Sequence, residues 1–180
     1  MRVVRYFAFV DLSGFTTFLD ERGDEESVRV LTAFRSAARD VATDFGVRIA
    51  KWLGDGCMFV TVEPNLIVSA VLDLQRRIEE LSVPLEIHAG IAGGPVILLE
   101  GDDYTGRPVN LASRLADWAG PHEVLTTPDL AALAPDGTRA DELDALLLPG
   151  MRTPVRVVRL LRGGLRAARP TGGEAASGLR

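Results

Sequence analysis

The chain has few of the residues that support several common kinds of protein chemistry. Its 180 residues include one cysteine, Cys57, which excludes an internal disulfide and a cysteine-based metal cluster. The two histidines, His88 and His122, lie far apart and form no H-x-x-x-H pair. No apolar run approaches the roughly 20 residues that cross a bilayer, and no signal-like stretch follows Met1. We therefore expect a cytoplasmic protein without a membrane partner.

Basic residues are outnumbered by acidic ones, and almost all of the basic residues are arginine. Twenty basic and 25 acidic residues give a net charge of −5. Because phosphate backbones are attracted by positive surfaces, this balance predicts no nucleic acid partner. Lys51 is the only lysine, so position 51 carries an ammonium group in a chain that elsewhere uses guanidinium groups. The hydrophobic fraction of 47% is typical of a folded globular domain rather than a disordered chain.

The order of the predicted elements indicates an α+β fold. Apolar periodicity predicts, in chain order, a strand over 3–10, a helix over 25–45, strands over 47–53 and 57–62, a helix over 64–81, strands over 85–91 and 96–99, a helix over 108–118, and strands over 123–126, 143–148 and 155–160. The first elements give a ferredoxin-like βαββαβ core, an antiparallel sheet with helices packed on it, followed by a C-terminal extension. We expect one domain over residues 1–162 and a flexible tail over 163–180.

Two aspartates fall at strand ends that this topology brings together. Asp11 follows the first strand, and Asp55 lies in a Gly-Asp-Gly turn between the second and third strands. The first and third strands are neighbours in a ferredoxin-like sheet, so the two carboxylates are expected to be close. Such a pair suits one or two Mg²⁺ ions, which complete their coordination with water and phosphate oxygens. Each aspartate taken alone is better explained as a hairpin-turn residue or a helix cap, and the topology that brings them together favours a functional role.

The segment after Asp11 is a candidate phosphate contact. It runs through Gly14, Phe15 and Thr16 into a helix, where backbone N–H groups can hold phosphate oxygens. The chain has no G-x-x-x-x-G-K-[ST] phosphate loop. It also has no G-x-S-x-G turn, which excludes the common serine-hydrolase arrangement.

The helix predicted over 108–118 has one polar and one apolar face. Asn110 and Arg114 are four residues apart and share the polar face. Arginine can clamp a phosphoryl oxygen and asparagine can hold a ribose oxygen, although a merely solvated helix face explains the same two residues. Leu111, Leu115 and Trp118 are expected to pack inward.

Four motifs together resemble the catalytic domain of class III adenylate and guanylate cyclases. They are FVDLSGFT at 9–16, KWLGDGCM at 51–58, GIAGGPV at 90–96 and DYTGRPVNLASR at 103–114. The resemblance covers about residues 4–160. It implies a homodimer with shared active sites, ATP as the substrate, and two Mg²⁺ or Mn²⁺ ions per site. The short 96–103 segment implies a reduced dimerisation arm, as in one bacterial subgroup.

The resemblance also implies roles for individual residues. Asp11 and Asp55 match the metal-binding aspartates of the family. Lys51 and Asp103 match the pair that reads adenine, and guanylate cyclases typically carry Glu at the lysine position. The single lysine of the chain thus falls where an adenylate cyclase needs one.

Three further residues are assigned in the same way. Asn110 matches the ribose-orienting asparagine, and Arg114 matches the arginine that stabilises the transition state. The family usually has a lysine on its last hairpin that meets the triphosphate, and Arg152 is the nearest substitute in this sequence. By the same resemblance, one chain supplies the metal aspartates of a site, and its partner supplies Lys51, Asp103, Asn110 and Arg114.

These motifs predict an enzyme that converts ATP to 3′,5′-cyclic AMP and pyrophosphate by a two-metal mechanism. A non-catalytic nucleotide-binding or dimerisation module is the main alternative, favoured by the reduced arm and the missing triphosphate lysine. A guanylate cyclase is a second alternative, which Lys51 disfavours. A polymerase palm or a cyclic dinucleotide synthase would share the sheet and the carboxylates but would give Asn110 and Arg114 no role.

Overall fold

The computed structural model describes residues 1–100 and 103–162, and the predicted tail over 163–180 lies outside these ranges. The elements, in chain order, are β1 (Arg2–Leu12), α1 (Phe15–Phe45), β2 (Arg48–Leu53), β3 (Gly56–Thr61), α2 (Pro64–Glu80), β4 (Ile87–Leu98), β5 (Tyr104–Thr105), α3 (Arg107–Trp118), β6 (Val124–Thr126), α4 (Pro128–Ala131), β7 (Thr138–Glu142) and β8 (Val158–Arg162). Within these ranges, no helix is both long enough and apolar enough to span a membrane.

The strands form one sheet in the order β2-β3-β1-β4-β6-β8-β7, with β5 paired to β4. Neighbouring strands are antiparallel except β4 and β6, which are parallel. The order β2-β3-β1-β4 is that of a ferredoxin-like core, so the predicted α+β fold is confirmed. Because β1 lies between β3 and β4, Asp11 faces Gly56 on one side and His88 on the other.

Helices cover both faces of the sheet, and the side chains of β1, which alternate between the two faces, pack against helices on both sides. Ala8 and Val10 belong to the hydrophobic core that α1 and α2 complete. Phe7 points the other way and belongs to a second core, which includes Leu115 of α3. A Cβ at Gly90 of β4 would lie 2.2 Å from the carbonyl oxygen of Ala112, so α3 packs this closely only against glycine.

Several local predictions are wrong. β4 is continuous over 87–98, because β1 pairs with it along its whole length, so residues 96–99 are not a separate strand. Residues 143–148 form only an isolated bridge between Leu146 and Val155, and the strand that pairs with β8 is β7. Helix α1 starts at Phe15, as expected for the segment after Asp11, but it runs on into the helix predicted over 25–45 as one element with a non-helical residue at Gly23. Trp118 does not pack inward with its helix neighbours, since 54% of its surface is exposed.

Candidate active site

Asp11 and Asp55 lie beside each other at the end of β1 and in the turn between β2 and β3. Asp11 is the cross-strand partner of Gly56, the residue that follows Asp55. Burial, followed by the negative charge of Asp55, raises the pKa of Asp11 from 3.8 to about 6. The N–H of Leu12 donates to Asp11 Oδ1 at 3.2 Å and opposes this shift. The structure thus brings together the two carboxylates that the strand order places side by side.

This pair fits a hard divalent cation. Two partly buried carboxylates repel each other, and a cation between them would offset that repulsion with the oxygen ligands that Mg²⁺ prefers. Across residues 1–100 and 103–162, no group of three or more His, Cys, Asp or Glu residues is placed to hold a metal. Mg²⁺ typically binds few protein carboxylates and completes its coordination with water or ligand oxygens, which suits a pair of carboxylates.

His88 lies next to the carboxylate pair, a placement that the sequence reasoning missed. It is the cross-strand partner of Asp11 on β4, and its Nδ1 is 3.0 Å from Ser13 Oγ. Burial lowers the pKa of His88, while the charges of Asp55 and Asp117 act in the opposite direction. His88 falls within the strand predicted over 85–91, and it lies on β4 in the structure. Its position opposite Asp11 follows from the β1–β4 register and could not be deduced from spacing alone.

Arg114 forms an ion pair with Asp117, whose charge acts on the Asp11 carboxylate. Its Nη1 lies 3.0 Å from Asp117 Oδ2 on the exposed side of α3. The negative charge of Asp117 also contributes to the raised pKa of Asp11. This pair was not predicted from the sequence, although its i, i+3 spacing on a helix could have indicated it.

The turn that connects β1 to α1 presents free helix N–H groups. Gly14 has φ 75°, a left-handed conformation that glycine adopts readily. The first bond of the helix runs from the N–H of Phe18 to the carbonyl of Gly14 at 3.0 Å. The N–H groups of Phe15 and Thr16 precede that bond, so they point out of the N-terminal end of the helix. This is the geometry that anion binding at a helix start requires.

Lys51 and Asp103 meet, although 52 positions separate them in the sequence. Lys51 Nζ lies 2.8 Å from Asp103 Oδ1, and both side chains are nearly half exposed. The hydrogen bond from Lys51, supported by one from the N–H of Tyr104, holds the pKa of Asp103 below its usual value. Lys51 is on β2, and Asp103 directly precedes β5.

Asn110 and Arg152 line a common cleft of about 410 Å³ between the start of α3 and the turn at residues 150–153. Arg107 lines it as well, so the cleft carries two guanidinium groups. Neither the Asp11–Asp55 pair nor the Lys51–Asp103 pair lines this cleft. In a single chain, the predicted site residues thus form separate groups.

Comparison with known proteins gives sequence relatives over most of the chain. No protein-family model matches it. An uncharacterised protein of Mycobacterium tuberculosis is 36% identical over 152 residues, which are 84% of this chain and 40% of that protein. The pH-sensitive adenylate cyclase of Mycobacterium tuberculosis is 31% identical over 164 residues, 88% of this chain and 41% of that protein. The chain therefore spans about 40% of the length of these two curated relatives.

Solved structures of cyclases share the fold over nearly the whole chain. The adenylyl cyclase CyaB from P. aeruginosa superposes with a TM-score of 0.78 at 25% identity, covering 96% of this chain and 98% of that one. A guanylyl cyclase superposes with a TM-score of 0.76 at 23% identity, covering 91% and 94%, a likeness that shows the fold alone. The chain is an adenylate/guanylate cyclase-like domain with the fold of class III cyclase catalytic domains.

Proposed function

We propose that this chain is an adenylate cyclase domain that converts ATP to 3′,5′-cyclic AMP and pyrophosphate at a homodimer interface. The observation that carries the proposal is the 2.8 Å contact between Lys51 Nζ and Asp103 Oδ1. Adenine presents an acceptor at N1 beside a donor at its 6-amino group, which match a lysine donor and a carboxylate acceptor. Guanine presents a donor at N1 and an acceptor at O6, and would leave both side chains unmatched.

Asp11 and Asp55 would hold the divalent cations, Mg²⁺ or Mn²⁺, two per site. When bound, these ions neutralise phosphate charge and lower the pKa of the ribose 3′-hydroxyl. The raised pKa of Asp11 supports this role, because a cation would supply the positive charge that the pair lacks.

The remaining residues orient the nucleotide and balance the charge that develops. The N–H groups of Phe15 and Thr16, with Gly14 allowing close approach, hold phosphate oxygens, and Arg152 meets the triphosphate. Asn110 orients the ribose so that its 3′-oxygen bonds to the α-phosphorus while the bond from that phosphorus to the pyrophosphate oxygen breaks. Phosphoryl transfer depends mainly on positioning and electrostatics, so we assign no side-chain base. The hydroxyl proton is released to solvent.

Arg114 stabilises the charge on the α-phosphate. To do so it must exchange its contact with Asp117, where the side chains are 47% and 61% exposed. An exposed ion pair contributes about 0–1 kcal/mol, so a phosphate can replace Asp117 at little cost. The interaction gains strength as charge builds up in the transition state.

A homodimer would join groups that are separate in one chain. The Asp11–Asp55 pair of one protomer would face Lys51, Asp103, Asn110 and Arg114 of its partner. Twofold symmetry then gives two equivalent sites.

Complementation between two inactive variants tests this arrangement. Asp11→Ala/Asp55→Ala lacks only the metal ligands, and Asn110→Ala/Arg114→Ala lacks only two of the four groups that the partner would supply. Each should form no cyclic AMP alone. An equal mixture, after dissociation and reassociation, should recover about a quarter of wild-type activity, because half the dimers regain one of two sites.

Other results would favour another function. No cyclic product from the wild type with ATP or GTP, in Mg²⁺ or Mn²⁺, would indicate a non-catalytic nucleotide-binding module. A preference for GTP would indicate a guanylate cyclase. A mixture that stays inactive beside an active wild type would contradict the shared site.

A further inference from the structure

The turn that carries Asp55 is attached to helix α1 by an arginine. Arg35 Nη2 donates to the carbonyl oxygen of Gly54 at 3.0 Å. The guanidinium carbon of Arg35 also lies 5.2 Å from the centre of the Trp52 ring, within the range of a cation–π contact. Arg35 therefore contacts two residues of the hairpin just before Asp55.

A second arginine, one helical turn later, makes only one of these contacts. The guanidinium carbon of Arg39 lies 5.2 Å from the Trp52 ring centre, the same distance as that of Arg35. The side chain of Arg39 is exposed, whereas Arg35 is half-buried with a buried Nε that has no hydrogen-bond partner. Burial of that donor costs free energy, which indicates that packing and the Gly54 bond hold Arg35 in place.

Gly54 and Asp55 form a two-residue loop between Leu53 and Gly56, which pair with each other in the β2–β3 ladder. After Asp55, the chain is fixed by the pairing of Gly56 with Asp11 in the β1–β3 ladder. Before Asp55, Gly54 has φ 71°, and glycine has the largest backbone freedom of any residue. Without a contact at its carbonyl, the peptide that joins Gly54 to Asp55 could reorient and move the carboxylate away from Asp11.

We propose that Arg35 is a positioning residue that fixes the Gly54–Asp55 turn and so holds the Asp55 carboxylate beside Asp11, ready for a divalent cation. The role of the cation rests on the proposed function, whereas the anchoring of the turn does not. Helix α1 thereby controls the geometry of a site to which Arg35 contributes no ligand.

Three variants test the proposal in the metal-free protein and in Mn²⁺ titrations. Arg35→Ala removes both contacts, Arg35→Lys keeps a donor for Gly54, and Arg39→Ala removes only the stacking on Trp52. Hydrogen exchange of the 52–57 peptide should be faster in Arg35→Ala and unchanged in Arg39→Ala. Calorimetric Mn²⁺ affinity should fall roughly 10-fold in Arg35→Ala, be partly restored in Arg35→Lys, and stay at the wild-type value in Arg39→Ala.

Activity measurements separate positioning from general damage. With saturating Mn²⁺, Arg35→Ala should recover most of its kcat with an unchanged KM for ATP, which a merely destabilised protein would not do. Equal effects of Arg35→Ala and Arg39→Ala, or unchanged exchange of the 52–57 peptide in Arg35→Ala, would overturn the proposal. A wild type that binds Mn²⁺ but forms no cyclic product would contradict the proposed function alone. A wild type that binds no Mn²⁺ would overturn the link to a cation.

Discussion

Gly56 leaves the space in which the Asp11 carboxylate lies. A Cβ at position 56 would be 2.6 Å from Asp11 Oδ1 and 2.5 Å from the carbonyl oxygen of Val10. Both distances are far shorter than the 3.5–4.0 Å or so of a favourable contact. The Asp-Gly sequence in this hairpin therefore does more than favour a turn, because the glycine also makes room for the neighbouring carboxylate.

Gly56→Ala should displace Asp11 or widen the gap between β1 and β3. We expect a stability loss of about 1–3 kcal/mol and a loss of cyclase activity of at least roughly 10-fold. Urea denaturation and a cyclic AMP assay measure the two effects. Gly120→Ala is the matched control, since its Cβ would first meet the flexible Glu123 side chain at 3.4 Å. Equal behaviour of the two variants would contradict this account of Gly56.

The closeness of Asp11 and Asp55 could be predicted because it follows from the order of the elements. Ferredoxin-like topology places β1 beside β3, and both aspartates lie where these strands meet. The meeting of Lys51 with Asp103 followed only from the resemblance to cyclases, because no periodicity relates residues 52 positions apart.

Other features depend on side-chain packing, which the sequence pattern does not encode. The bond from Arg35 to Gly54 requires α1 to cross the β2–β3 hairpin at one particular turn of the helix. Trp118 sits at a position suited to the inner face of α3, yet it is exposed at the helix end. Both outcomes were decided by tertiary contacts rather than by local propensity.

The raised pKa of Asp11 makes stability depend on pH in a defined direction. With a pKa of about 6 in the fold and 3.8 ordinarily, the protonated acid favours folding. This contribution is complete below about pH 4 and is lost as the pH rises through about 6. In metal-free protein near pH 7, Asp11→Asn should therefore be more stable than wild type by about 1–2 kcal/mol, after allowance for solvent screening.

The same variant should lose its advantage under two conditions. Near pH 4 the two proteins should unfold at the same urea concentration, because Asp11 is then protonated in wild type as well. Added Mn²⁺ should stabilise wild type but not Asp11→Asn, since a ligand stabilises only the state that binds it. An advantage for Asp11→Asn that is constant across this pH range would show that the carboxylate charge is not its cause.

Substitution of Lys51 and Asp103, the two residues proposed to bind the base, should change nucleotide preference. Lys51→Glu/Asp103→Ser replaces the donor by an acceptor and the acceptor by a hydroxyl donor, which matches guanine rather than adenine. We expect kcat/KM for ATP to fall about 10–100-fold and GTP turnover to become detectable. The stability should change little, because the original ion pair is nearly half exposed and screened by solvent. An unchanged ATP preference would contradict the assigned base pocket.

Arg152 lines the cleft beside Asn110, and we expect its guanidinium group to bind the triphosphate there. Arg152→Ala should raise KM for ATP about 10-fold and weaken inhibition by pyrophosphate, with a smaller change in kcat, because the contact is made equally to bound substrate and product. Arg156→Ala is the control, since Arg156 is also an exposed arginine but does not line the cleft. Steady-state kinetics with ATP and with added pyrophosphate measure both variants. If Arg152→Ala altered neither constant, Arg152 would not be the triphosphate contact, and Arg107, which lines the same cleft, would be the next residue to replace.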